Sequence, residues 1–268
     1  MRSAAAGRGA MLVDSHCHLD FPDFAAEREA VIERAAAAGI GTMLTICTRL
    51  DHFEAVRSIA EAHPHIWCSV GVHPHEAAAH EDVIADQIVS QTRHRRVVGI
   101  GETGLDFHYD LSPRDTQERV FRAHIAASHA TGLPLIIHTR EADAETAAIL
   151  ETERPPAGVL HCFTGGRDLA ERALAVGFYI SISGIVTFRN AEELRRIVRD
   201  IPLDRLLVET DAPYLAPVPY RGKRNEPAFV AATASFVAEL KDVDPVQFAA
   251  ATTGNFFRLF GKAVPPTQ

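Results

Sequence analysis

Val97-Val98-Gly99-Ile100-Gly101 is a short apolar run that delivers the chain to a carboxylate, Glu102. A run apolar throughout, rather than at alternate positions, suits a parallel strand covered on both faces. The pattern recurs from one end of the chain to the other. Strands are predicted at Met11–Ser15, Thr42–Cys47, Ile66–Val70, Val97–Gly101, Leu133–Ile137, Gly158–Leu160, Phe178–Ile182 and Leu206–Val208. Helical patterns fill the intervals. Ser112-Pro113-Arg114-Asp115 offers a side-chain cap, a proline in the first turn and an acidic start. Val120, Phe121 and Ile125 then share a helical face, and Gly132 closes the segment. Gly39 likewise closes an Ala-rich helix beginning near Asp23, and Asp244-Pro245 opens the last helix, which carries Phe248 and Phe256.

Eight strand–helix units in series predict an α/β fold that closes on itself, a single (β/α)8 TIM barrel. The chain has 268 residues, and such barrels take about 250. Length alone would also allow two domains. An open doubly wound sheet is the rival, but it needs fewer strands and a glycine-rich phosphate turn, and no G-x-G-x-x-G is present. The expected organisation is a disordered leader at 1–10 and one hydrolase barrel at 11–268. The Pro-rich stretch Ala212–Pro227 follows the eighth strand and reads as a loop on the active face.

With 47% hydrophobic and 23% charged residues, the composition excludes disordered and fibrous classes. The four cysteines, Cys17, Cys47, Cys68 and Cys162, form no C-x-x-C pair, which points to a reducing cytoplasm. No run of about 18 uncharged apolar residues occurs, so no membrane association is expected, and nothing marks an obligate protein partner. A net charge of -8 argues against gripping a polyanion by a basic surface. A bound cation could supply the missing positive charge. The 14 histidines ask for a chemical role.

Val13-Asp14-Ser15-His16-Cys17-His18 provides one. Residues two apart in a strand face the same side, so His16 and His18 project together. H-x-H alone is a weak motif, and a lone histidine at a strand end is usually just a satisfied polar residue. The other candidates change the balance. Glu102, His138, His161 and Asp211 each stand at or just beyond the C-terminal end of a predicted strand, and a barrel gathers those ends at one rim. Six unrelated turn residues sharing that rim is less probable than one metal site. Four imidazoles and two carboxylates exceed one tetrahedral ion and suit two divalent ions about 3.5–4 Å apart. Glu102, between the histidine sets in strand order, is the natural bridge, because a carboxylate has two oxygens.

His73 is expected at the same rim as a contact to substrate phosphate or leaving group. Arg140 and Arg224 are expected phosphate contacts. Glu209, two residues before Asp211, is expected to orient a ligand. Cys17 and Cys162 adjoin these positions and are expected to turn away as packing residues. No function is assigned to His63, His65, His80, His94, His124 or His129.

Taken together, these motifs resemble the TatD-type metal-dependent deoxyribonucleases of the amidohydrolase superfamily, from Val13 to Phe260. The resemblance rests on Asp14-Ser15-His16-Cys17-His18-Leu19-Asp20, Gly71-Val72-His73-Pro74-His75 and Gly101-Glu102-Thr103-Gly104-Leu105-Asp106. It continues through Ile137-His138-Thr139-Arg140, His161-Cys162-Phe163-Thr164-Gly165, Val208-Glu209-Thr210-Asp211-Ala212-Pro213-Tyr214-Leu215 and Arg221-Gly222-Lys223-Arg224-Asn225-Glu226-Pro227. Ala212, where many relatives carry cysteine, and His108, where tyrosine is frequent, depart from the pattern without touching the candidate ligands.

The resemblance implies that His16, His18, Glu102 and Asp211 bind one ion, and Glu102, His138 and His161 the other. It implies a deoxyribonuclease trimming single-stranded DNA ends with 3′ to 5′ polarity. The expected chemistry is attack of metal-activated water on a phosphodiester, with Asp211 taking the proton and Zn, Mn or Mg as the cations. The same chemistry on an aminoacyl-tRNA ester or a cyclic amide is the alternative, and a non-catalytic barrel scaffold is the alternative of another class.

Overall fold

The computed structural model describes residues 11–266; the leader expected at 1–10 lies outside the described residues. Eight strands form one parallel sheet in sequence order. They are β1 (Leu12–Cys17), β2 (Ile40–Thr45), β3 (Ile66–Val70), β4 (Val97–Asp106), β5 (Leu135–Arg140), β6 (Gly158–Leu160), β7 (Tyr179–Ile182) and β8 (Leu206–Val208). Among the described residues the α-helices are α1 (Arg28–Ala37), α2 (Phe53–Ala62), α3 (Ala85–Thr92), α4 (Arg114–Thr131), α5 (Asp143–Glu153), α6 (Arg167–Ala175), α7 (Glu192–Asp200), α8 (Val230–Leu240) and α9 (Pro245–Leu259). This is the (β/α)8 barrel expected from the repeating pattern. No helix among the described residues is long and apolar enough to cross a membrane.

Closure is made where β1 meets the segment after β8. His18 N–H donates to Ala212 O and Asp211 N–H to His16 O, each at 2.9 Å. Below them, Asp14 accepts from Thr210 N–H at 2.9 Å and from the Thr210 hydroxyl at 2.6 Å, while the Ser15 hydroxyl donates to Val208 O at 3.0 Å. The polar residues of the first motif therefore do two jobs: Asp14 and Ser15 seal the sheet, and His16 and His18 are carried above the seam.

Two apolar clusters hold the barrel. One lies between the sheet and the surrounding helices, with Val120, Phe121 and Ile125 of α4 on its inner face as the helical spacing predicts. The other fills the barrel from inside with Val13, Leu44, Trp67, Val98, Ile136, Val159, Tyr179 and Leu207, one from each strand. Phe256, Leu259 and Phe260, from α9 and the residue that caps it, close this cluster. Each fully buried aliphatic or aromatic side chain of this kind contributes roughly 1.5–3 kcal/mol. Phe248 and Phe256, eight residues apart on α9, part company: Phe248 joins the outer cluster and Phe256 the barrel interior.

Several boundaries differ from expectation. β4 does not stop at Gly101 but runs to Asp106, and β5 runs to Arg140, so Glu102 and His138 sit inside strands rather than beyond them. α1 starts at Arg28, after a short 3-10 turn at Pro22–Phe24. Ser112 makes no cap for α4; its hydroxyl instead donates to His75 O at 2.9 Å and accepts from Ala78 N–H at 3.0 Å. Gly132 ends α4 at φ 72°, and Asp244 caps α9 by accepting from Val246 and Gln247 N–H, both as expected.

Candidate metal centre

Glu102 stands at the middle of the rim because the backbone around it is made of glycine. Gly101 has φ 146° and a Cβ there would lie 2.4 Å from Ile136 O. Gly104 has φ 133° and its Cβ would meet His138 O at 2.0 Å. Only residues without a side chain let β4 press this closely on β5.

The carboxylate of Glu102 divides its two oxygens. Oε2 lies 3.3 Å from His16 Nε2 and 3.9 Å from His18 Nε2. Asp211 Oδ1 completes that side, 3.3 Å from His18 Nε2 and 3.7 Å from His16 Nε2. Oε1 faces the other way, 2.8 Å from His161 Nε2 and 3.3 Å from both His138 Nδ1 and His73 Nε2. All six residues singled out at the strand ends are thus brought together. His73 stands at the same rim as expected, with Nε2 in the Oε1 group, and it lines the cavity.

The donor set fits divalent cations. His16 Nε2 and His18 Nε2 point at each other across 3.3 Å, while the Nδ1 atoms of both rings are buried without a hydrogen-bond partner. A neutral imidazole has one N–H and one lone pair, so five rings crowded on two carboxylates leave lone pairs facing one another. A cation among them resolves the conflict, and nitrogen-rich groups of this kind suit Zn or Mn. His16, His18 and Glu102 offer donor atoms within 4.8 Å of one another, as do His73, Glu102 and His138. The two groups share only Glu102.

Carboxylates behind the rings fix their orientation. Asp106 Oδ2 accepts from His138 Nε2 at 3.0 Å and His75 Nε2 at 2.9 Å, which leaves His138 Nδ1 as the lone pair facing Glu102. Asp106 is itself held by the backbone N–H groups of His108 and Tyr109. Glu209 Oε1 lies 3.3 Å from His161 Nδ1 and accepts Cys162 N–H at 2.7 Å, the orienting position expected for it. Asp211 follows β8 at φ 57°, in the left-handed region that aspartate tolerates better than most residues. Tyr214 N–H donates to its carbonyl, and this tight turn brings the carboxylate back over the rim.

Ionisation follows the geometry. Burial pushes the Glu102 carboxyl up, but the His161, His73 and His16 rings hold it well below the usual carboxylate range. Burial likewise acts against ionisation of Asp211, and the His18 hydrogen bond with the nearby His16 outweighs it and lowers its pKa. Burial depresses His73 to about 4, so its ring is neutral; Nδ1 accepts the His75 N–H at 3.0 Å, which leaves the ring proton on Nε2, facing Glu102.

A cavity of about 660 Å³ opens above the cluster, lined in part by His18, His73, Glu102, His138, Arg140, His161 and Asp211. Arg140 faces this space and makes no ion pair among the described residues. Arg224 does not line it: its guanidinium is bound to Asp23 O and the Glu27 carboxylate, away from the cavity. Cys162 also departs from expectation. β6 ends at Leu160, so Cys162 is in no strand, and it lines the cavity at φ 41°. Burial holds its thiol protonated, raising its pKa well above the ordinary value. Cys17 is buried as a packing residue. Asp106 and His75 escaped the sequence reading as functional residues. The signal was available, since Asp106 lies four residues after Glu102 in what proves to be one strand.

The family model described as TatD related DNase matches residues 13–261. An uncharacterized metal-dependent hydrolase, YcfH of Escherichia coli K12, is 45% identical over 254 residues, covering 93% of this chain and 95% of its own. The 3'-5' ssDNA/RNA exonuclease TatD of Citrobacter koseri is 38% identical over 259 residues, covering 94% and 100%. The crystal structure of YJJV, a TatD homologue from Escherichia coli K12, superposes with a TM-score of 0.89 at 31% identity, covering 96% of this chain and 99% of that one. With a shared barrel and full-length similarity to metal-dependent hydrolases, the chain belongs to the TatD-related DNase family and is a metal-dependent hydrolase.

Proposed function

We propose that the protein is a deoxyribonuclease that removes nucleotides from single-stranded DNA ends, 3′ to 5′, using two divalent ions. One observation carries the two-ion reading: the two oxygens of Glu102 face two separate groups of histidine nitrogens. His16, His18, Glu102 and Asp211 would hold one ion, and Glu102, His138 and His161 the other, with His73 beside Oε1 at the edge of the substrate cavity. Support for the substrate comes from the Citrobacter koseri relative, whose name specifies a 3'-5' exonuclease of single-stranded DNA and RNA. Cytoplasmic residence accords with the four cysteines, none of which is in a disulfide.

Bound there, the cations supply Lewis acidity, lowering the pKa of a water and offsetting charge on phosphoryl oxygens. The chain does the rest. Asp211 turns Oδ1 to the histidines and keeps its other oxygen to accept the proton of the attacking water. Its side chain is 15% exposed against 3% for Glu102, which makes it the more open of the two carboxylates to substrate. Arg140, without a carboxylate partner, holds a phosphate oxygen. As the water oxygen bonds to phosphorus, the P–O bond to the departing nucleotide breaks and the leaving oxygen takes up a proton.

The test is a panel of single-stranded DNA, duplex DNA, RNA, an aminoacyl-tRNA and a dihydropyrimidine, each with Mg²⁺, Mn²⁺ and Zn²⁺. Glu102→Ala serves as the control. Metal-dependent cleavage of single-stranded DNA, lost in the variant, is the expected result. Hydrolysis of only the ester or the cyclic amide would refute the nuclease reading.

A further inference from the structure

The cavity walls carry aromatic rings that the donor cluster does not use. Tyr109 follows β4 and Tyr214 follows β8, strands on opposite sides of a barrel ordered one to eight. The two tyrosines are 53% and 54% exposed. They are the aromatic members of a short set of large apolar side chains left exposed among the described residues, and both line this cavity.

Each ring is braced by its neighbours, Tyr109 also by His108 edge-on at 4.8 Å. Arg140 places its guanidinium carbon 4.7 Å from the Tyr109 ring centroid, and His75 meets that ring edge-on at 5.4 Å. Phe21 stacks on His18 at 4.5 Å and meets Tyr214 edge-on at 6.2 Å. The candidate metal centre lies between the two braced rings, so the layout alternates aromatic face, anion site, aromatic face. An unpaired nucleic-acid strand has the same alternation of base, phosphate, base.

Charge points the same way. Among the described residues Arg140 is the one Lys or Arg side chain lining the cavity, in a chain of net charge -8. Arg140 and the bound cations serve the scissile phosphate, so the neighbouring nucleotides meet no basic groove and are left to contacts with their bases. We infer that Tyr109 and Tyr214 are stacking platforms for the unpaired bases on either side of the scissile phosphate, and that they set the preference for single strands. Paired bases already stack on their neighbours and have no free face to offer. The inference rests on the nuclease reading and names what that site recognises.

Steady-state kinetics on oligothymidylate, with a matched strand whose last two residues are abasic, tests it. Tyr109→Ala and Tyr214→Ala should each raise KM for oligothymidylate on the order of 10-fold, with a smaller change in kcat, and Tyr→Phe should restore it. For the wild type, removing the two bases should cost a similar factor, and the tyrosine and base losses should not add. As a spectroscopic check, a terminal 2-aminopurine on a strand held uncut by Asp211→Asn should be quenched, and the quenching lost when both tyrosines are alanine. Unchanged KM and quenching, or full additivity with the abasic end, would overturn the stacking role while leaving the nuclease reading intact. A wild type that leaves every strand uncut with every cation would overturn both.

Discussion

His124 lies fully buried on α4, and both of its ring nitrogens are committed. Nε2 accepts the N–H of Val72 at 3.0 Å, and Nδ1 donates to Val120 O at 2.7 Å. That pairing requires the neutral ring, and burial accordingly depresses its pKa from 6.5 to about 4. A base whose folded pKa is depressed contributes stability that is fully present above its unfolded value and is lost as pH falls through the folded one. The window is therefore pH 6.5 down to about 4. The 2.5-unit difference is worth about 3 kcal/mol in full, of which about 2 kcal/mol is already lost at pH 5. His124→Leu removes the proton site and strands the Val72 N–H, so it should be less stable than wild type at pH 8. Urea unfolding with chelator present, at pH 8 and pH 5, measures both. The stability gap between wild type and variant should shrink by about 2 kcal/mol on acidification. A gap independent of pH would refute the reasoning.

Three further outcomes follow from the site. Asp211→Asn should keep its circular dichroism spectrum and lose a factor of about 10²–10⁴ in kcat, and a wild-type rate would remove Asp211 from the chemistry. Asp106→Ala, which frees the His138 ring, should weaken metal binding about 10- to 100-fold in chelator competition and recover much of its activity when metal is saturating. Adding Mn²⁺ or Zn²⁺ at a hundred times its Kd should stabilise the metal-free protein in urea unfolding by about 2.7 kcal/mol for each site filled, and Glu102→Ala should abolish that gain.

The barrel was legible because buried parallel strands leave a strong mark: runs such as Leu206–Val208 are apolar throughout and recur at regular spacing. The rim was legible for the same reason, since any polar residue ending such a run must project there. What escaped lies where that mark fails. Glu102, Thr103 and Gly104 break off the apolar run of β4, hiding five further strand residues and with them Asp106. Cys162 was misplaced because β6 is only three residues long, so strand alternation does not reach it. Arg224 looked free by charge alone, and only the fold reveals Glu27 beside it. Tyr109 and Tyr214 sit in loops, whose paths carry no periodicity to read.

The sealing of the barrel by α9 has a consequence for traffic. Phe256, Leu259 and Phe260 stopper the end opposite the donor cluster, so the interior is no tunnel and the cavity is a cul-de-sac. On the nuclease reading, a strand end enters by the same mouth through which the severed nucleotide must leave. Nucleoside monophosphate added to the assay should then compete with the strand for the empty enzyme. An enzyme indifferent to it at millimolar concentrations would mean that the two do not share a way out.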